Sequence, residues 1–125
     1  MWGRQHFYFG DNITVGVRDL AQSIGWYQEK LGLRRSNLSA PEVDALLVLS
    51  TDDDIGLGLV VFGPDVGPGN LERHAILFSK KLEAAHEDLA SRGVSVGPIQ
   101  ADSGGNRFFQ FQDLDCNTIE VCVEP

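Results

Sequence analysis

Cysteine is scarce in this chain. Cys116 and Cys122 are the only two, which is no disulfide framework, so the expected compartment is a reducing cytoplasm. Basic charge is scarce as well: ten Lys and Arg stand against eighteen Asp and Glu, for a net charge of -8. Nucleic acids and anionic membranes both call for basic patches, so neither is expected as a partner. No apolar run approaches the roughly 20 residues that cross a bilayer. The opening MWGRQHFYFG lacks the apolar core and cleavage pattern of a signal peptide. What is present is 125 residues, 42% hydrophobic and 22% charged. That composition fits one ordinary soluble domain, or two very small modules sharing a core.

Taken in order, Asn12 to Val17 reads as a strand, after an aromatic stretch broken by Gly10 and Asp11. Asp19 is a helix N-cap, and Leu20, Ile24, Tyr27 and Leu31 recur at helical spacing until Gly32 stops them. Short strands follow at Leu33 to Ser36, Val43 to Leu49 and Ile55 to Phe62, with Asp52 to Asp54 as a turn. Gly56 and Gly58 inside the last of these predict a bend or close packing. Gly63 to Asn70, GPDVGPGN, is a linker. Then the order recurs. His74 to Ser79 is a strand, Lys80 to Arg92 a helix ended by Gly93, and Val94 to Ile99 a strand. Ser103 to Asn106 is a turn, and Phe108 to Gln112 with Thr118 to Val123 form a closing hairpin. In the last strand Glu120 shares a face with Cys122, and Ile119, Val121 and Val123 share the other. An acid in mid-strand must meet water, a partner or a metal.

Laying Asn12 on His74, an offset of 62 residues, makes the repeat explicit. Leu20 then falls on Leu82, Ile24 on His86 and Tyr27 on Leu89, and Leu59 lies opposite Glu120. A unit this short cannot bury its sheet alone and needs its copy or a second chain. NITVGVRDLAQSIGWYQEKLGL, then HAILFSKKLEAAHEDLASRGV and FFQFQDLDCNTIEVCVEP, resemble the vicinal oxygen chelate superfamily of glyoxalases, bleomycin-resistance proteins, fosfomycin-resistance enzymes and extradiol dioxygenases. The resemblance implies an α+β fold: two tandem βαβββ modules, at about 9–63 and 71–125 with the linker at 63–70, forming a curved mixed sheet with a cup on one side and helices outside. It also implies a small-molecule ligand and a homodimer.

In metal-using members, one residue opening each module and one on each closing strand point ligands into the cup. The matching positions here are Asn12, Leu59 (or Val61 if the register slips), His74 and Glu120. The resemblance therefore offers His74, Glu120 and Asn12 as metal ligands, for Ni, Zn, Mn or Fe, with Glu120 also a proton carrier. Leu59 and Val61 cannot bind metal, and a neutral amide such as Asn12 is a weak ligand for transition metals. Asn, His and Glu also differ from the two-His-one-carboxylate set of the ring-cleaving iron oxygenases. Two functions follow as expectations. One is a metal-dependent lyase or isomerase acting on a substrate with vicinal oxygens. The other is a metal-free protein that sequesters a ligand or antibiotic, to which Trp26 could offer stacking. Among other residues, His86 is expected beside the helix–sheet packing and His6 in a tail. Cys116 replaces the family's turn glycine, so it is expected to be exposed and mildly strained. Arg107, Phe109 and Phe111 are candidates to line the cup.

Overall fold

The computed structural model describes residues 7–38, 40–50, 53, 55–61 and 75–123. The expected linker, His6, His74, Asp52 and Asp54 lie outside them. The elements in chain order are β1 (Tyr8–Phe9), β2 (Ile13–Val17), α1 (Leu20–Leu31), β3 (Arg34–Arg35), β4 (Ala45–Val48), β5 (Leu57–Val61), β6 (Ile76–Ser79), α2 (Leu82–Ser91), β7 (Ser95–Val96), β8 (Gln100–Ala101), β9 (Arg107–Gln112) and β10 (Thr118–Val123). Their ladders form two sheets, ordered β2-β5-β4-β3 and β1-β6-β10-β9-β7, with β8 also on β9. In both, the module's opening strand runs parallel to its closing strand. The two copies thus share one strand order, as the repeat predicts.

The helix ends follow the sequence. The Asp19 carboxylate accepts from the Gln22 amide at 3.0 Å, and Gly32 turns the chain at φ 69°. The second helix starts at Leu82, later than expected: Lys81 takes a non-helical φ of -134°, and its amide donates to the Ser79 hydroxyl at 3.0 Å. Gly93 then reverses the chain at φ 82°. The predicted strand at Val94 to Ile99 is in fact two fragments. Gly97 donates to the Gln110 carbonyl at 2.7 Å, but Pro98 has no N–H to continue the ladder. The chain is released and rejoins β9 two residues later, as Gln100 opposite Phe108.

The aromatic stretch before Gly10 also forms a strand, which the sequence pattern does not mark. Tyr8 and Phe9 pair antiparallel with Phe78 and Leu77, so the chain's first strand belongs to the second module's sheet. Two residues carry no periodicity, and their partners lie in the other module, on β6.

Each sheet buries one face against its helix. Ile13, Val15, Val17, Leu57 and Leu59 do so in the first module, and Leu77, Phe109, Phe111, Ile119 and Val121 in the second, all within one core. The modules are tied by the turn that precedes β10. The buried Asp113 carboxylate accepts from the Tyr27 hydroxyl at 2.6 Å and from Asn117 Nδ2 at 2.9 Å. Asn117 Nδ2 also donates to the Gly16 carbonyl at 2.8 Å, and the Asp115 carboxylate accepts from the Arg18 amide at 3.3 Å. So the turn of one module is docked on the strand and helix of the other, and β10 is held in place at its start.

Cys116 sits in that turn, exposed and at φ 63°, as its position in the motif predicts. A Cβ in the left-handed region costs about 1–2 kcal/mol, which a glycine does not pay. Cys116→Gly should therefore raise stability by about 0.5–1 kcal/mol, after the extra chain entropy of glycine is subtracted. A shift of the urea midpoint at constant slope would register it.

Candidate functional site

Along β10 the buried Ile119 and Val121 alternate with the half-buried Glu120 and Cys122. The latter pair face away from the helices, on the side where the resemblance places the cup. Register then selects their neighbours. Glu120 lies between Ile76 of β6 and Gln110 of β9, and Cys122 between Phe78 and Phe108. The face is built from alternating apolar and polar side chains with one carboxylate at its centre. No described Lys or Arg forms an ion pair with Glu120.

The Glu120 carboxylate instead accepts a hydrogen bond from the Cys122 thiol at 2.9 Å. That thiol is pushed up to about 12, first by burial, then by the hydrogen bond to Glu120, the charge of Glu120 and that of Asp102. It stays protonated at neutral pH and is no nucleophile. Its role here is to donate to the acid beside it.

At the far end of these strands an open pocket of about 480 Å³ lies between Phe78, Cys122 and Val123 on one side and Asp102, Asn106 and Arg107 on the other. Asp102 holds the turn below it, accepting from the Gly104 and Asn106 amides at 2.8 and 2.9 Å. The backbone N–H of Asn106, then its side chain, hold the Asp102 carboxyl below the usual range. Arg107 is paired with Glu83 in the first turn of α2, and this pairing lowers the Glu83 carboxyl. The Arg107 and Glu83 charges offset each other, which leaves Asp102 as the net charge among the residues lining the pocket.

Several expected placements differ. Phe109 and Phe111 do not line the cup: they are buried on the helix side, Phe109 edge-on to His86 at 4.9 Å. Phe108 and Gln110 take the cup face instead, because alternation along β9 is fixed by its pairing to β10. His86 lies where expected, beside that packing, with Nε2 2.8 Å from the Gly97 carbonyl oxygen. Leu59 is fully buried in the core, opposite Val15, so it faces the helix and not the cup. Val61 shares its parity at the strand's exposed end. The positions of β5 that face away from the helix are Gly58 and Val60. A Cβ on Gly58 would sit 2.7 Å from Val43 Cγ1 and 3.5 Å from Thr14 Oγ1, so Val43 and Thr14 cover that spot. Gly56 is packed closer still, with the Leu47 carbonyl oxygen 2.1 Å from where a Cβ would stand. Trp26 is on α1, packed against the core and edge-on to Tyr27, and so not in the cup.

Asn12 is exposed at the entrance to β2, and its Oδ1 accepts from the Gly56 amide at 2.8 Å. Its amide oxygen, the only atom suited to a metal, already ties the start of β2 to the start of β5. His74 lies outside the described residues.

A fold of two copies in one strand order, with an acid on the closing strand, can be compared directly with known proteins. The family model described as Glyoxalase/Bleomycin resistance protein/Dioxygenase superfamily matches residues 11–121. The chain belongs to that superfamily. Among curated proteins no sequence matches it. Among solved structures, a superfamily member from Sphaerobacter thermophilus DSM 20745 is similar at 21% identity and TM-score 0.72, over 91% of this chain and 95% of that one. TnmS3, an antibiotic binding protein from Streptomyces sp. CB03234, is similar at 25% identity and TM-score 0.71, over 92% and 94%. Lactoylglutathione lyase from Agrobacterium tumefaciens is similar at 15% identity and TM-score 0.67, over 90% and 91%.

Superfamily members often use a divalent metal, so the donors of this chain bear directly on that chemistry. Glu120 is the one carboxylate on the described cup face, and the Asn12 oxygen is committed to the backbone. The described residues hold no group of three His, Cys, Asp or Glu side chains able to grip an ion. The described donors therefore do not fit a metal site.

Proposed function

We propose that this superfamily member is a metal-free small-molecule binding protein that holds its ligand on the open face of the β6-β10-β9 strands. The observation that carries this reading is that the described cup positions of the first module offer no metal donor. Its cup positions are Thr14, Gly16, Gly58 and Val60, and Asn12 is spent on Gly56. The likeness to the antibiotic binding protein supports the same reading. A half-buried carboxylate with no ion-paired cation among the described residues, in a chain of net charge -8, favours a ligand that is cationic and aromatic.

The test is a fluorescence titration against a panel of basic aromatic antibiotics, run with and without EDTA. Micromolar binding unaffected by EDTA is the expected result. Glu120→Gln, which keeps an acceptor for the Cys122 thiol, should weaken a cationic ligand by about tenfold, since hydrogen bonds to charged groups are worth about 1.5–3 kcal/mol. In parallel, nickel, zinc, manganese and iron are titrated by calorimetry. Stoichiometric uptake at micromolar metal would overturn the proposal in favour of a metal-dependent lyase or isomerase.

A further inference from the structure

Register sorts the cup face of the second sheet into three rows of side chains that run across its strands. Strand partners point the same way, so each row follows from the pairing. Gln112 of β9 lies between Ser95 of β7 and Thr118 of β10. One step along, Gln110 lies beside Glu120, and Glu120 beside Ile76 of β6. One step further, Phe108 lies beside Cys122, and Cys122 beside Phe78. A step is two residues, about 6.6–6.8 Å, so the outer rows stand about 13 Å apart.

The rows differ in chemistry. The first is polar and uncharged, the middle one carries the only carboxylate of the three, and the last is aromatic on both sides of the Cys122 thiol. Tyr8 stacks on Phe78 with ring centroids 5.9 Å apart, which helps to fix that ring. Each outer row has its own hollow. The pocket of about 480 Å³ takes in Phe78 and Cys122. A second pocket, of about 280 Å³, is lined by Ser95, Gln110, Gln112 and Thr118. Phe111 also borders it, and since its ring is buried toward the helix, its backbone serves as the floor.

We propose that the row of Ser95, Gln112 and Thr118 is a hydroxyl-recognising subsite of the same ligand face, so that the ligand carries a polyhydroxyl, sugar-like arm on the far side of its cation from its aromatic ring. Serine and threonine hydroxyls and the glutamine amide each donate and accept. A ligand hydroxyl does both as well, so a run of hydroxyls pairs with this row whichever way its groups turn. A charged arm would give up hydration there and meet no counter-charge. Ser95 and Gln112 are exposed, so the arm reaches them without any movement of the strands. Gln110 stands in the Glu120 row and also lines the smaller pocket, which makes the arm's subsite continuous with the cation's. This rests on the ligand-binding reading given above and adds to it the order of groups along the ligand: ring, cation, hydroxyls.

Two probes separate the arm from the rest. N-(2-naphthylmethyl)glucamine carries a flat ring, a cationic nitrogen and a chain of hydroxyls. N-methyl-(2-naphthylmethyl)amine keeps the ring and the cation and lacks the chain. Both are titrated against the full chain by naphthalene fluorescence, with circular dichroism checking that each variant is folded. Wild type should bind the glucamine about five- to tenfold more tightly than the methylamine, the gain from one or two neutral hydrogen bonds. Gln112→Ala should erase that difference while leaving methylamine binding within about twofold of wild type. Ser95→Ala, at an exposed position on the sheet edge, should narrow the difference too. Glu120→Gln should weaken both probes alike, by about tenfold. Equal binding of the two probes by wild type, or an undiminished difference in folded Gln112→Ala and Ser95→Ala, would overturn the subsite and leave the ligand-binding reading standing. No binding of either probe by wild type would overturn the subsite as well, and the antibiotic panel then decides the binding reading by itself.

Discussion

Asp113→Ala should lose about 3–5 kcal/mol of folding stability, the range for removing one partner from a buried charged network. The Asp113 carboxylate accepts from Tyr27, from the Asn117 side chain at 2.9 Å and from the Asn117 and Asp115 amides at 2.8 and 2.9 Å. Alanine leaves the phenol of a fully buried tyrosine without its acceptor. It also undoes the turn that seats β10, so both the latch between modules and the placement of Glu120 suffer. Denaturant unfolding would measure the loss; a change under about 1 kcal/mol would mean that water reaches the latch and replaces the carboxylate. Asp113→Asn keeps part of the geometry and should cost less.

The same latch has a signature in pH. Burial, then the charge of Asp113, the hydrogen bond to it and the charge of Asp115 hold the Tyr27 phenol well above its usual value. A group whose folded value is raised contributes stability that is complete below its unfolded value, near 10 for tyrosine, and that is lost as pH rises past it. Wild type should therefore lose stability more steeply above about pH 10 than Tyr27→Phe does. The comparison cancels Cys122, whose thiol, raised to about 12, adds a loss in the same direction in both proteins.

Leu59→Glu should leave the protein largely unfolded, whereas Val60→Glu should fold. The two residues are neighbours in one strand, but Leu59 is fully buried against Val15 and Val60 is half-buried on the opposite face. A carboxylate forced into the core without a partner costs more than about 4 kcal/mol, a large part of the roughly 5–15 kcal/mol that holds a domain together. At Val60 the same group can reach water. Thermal unfolding of the pair reads the register of β5 directly. A stable Leu59→Glu and an unfolded Val60→Glu would place the cup on the other face and return Leu59 to the ligand position that the repeat alignment assigns it.

Most of the fold was open to reading from residue order. Apolar spacing located both helices, Gly32 and Gly93 marked their ends, and Thr118 to Val123 was bounded to the residue. These are local properties: capping, left-handed turns and β-branched runs act within a few positions. The recurrence at 62 residues carried the rest, since two copies must close on each other. Even the unusual backbone at Cys116 was readable, because a turn motif specifies where the left-handed residue falls. The site was only half legible. Glu120 and Cys122 were correctly put on one face, and the single acid between apolar neighbours was the signal.

What sequence alone determined, then, is the two helices, the principal strands, their duplication and the acid of the closing strand. Tertiary structure decided which way the strands face. In β5, LGLVV, nearly every residue can be buried, so alternation leaves two answers and pairing to the neighbouring strand selects one. In β9, RFFQFQ, alternation sets Phe109 and Phe111 apart from Gln110 and Gln112, and packing decides that the phenylalanines face the helix. It also decided that the Asn12 oxygen belongs to Gly56 and that Tyr8 lies on Phe78. Those contacts join residues far apart in the chain, and no local preference encodes them.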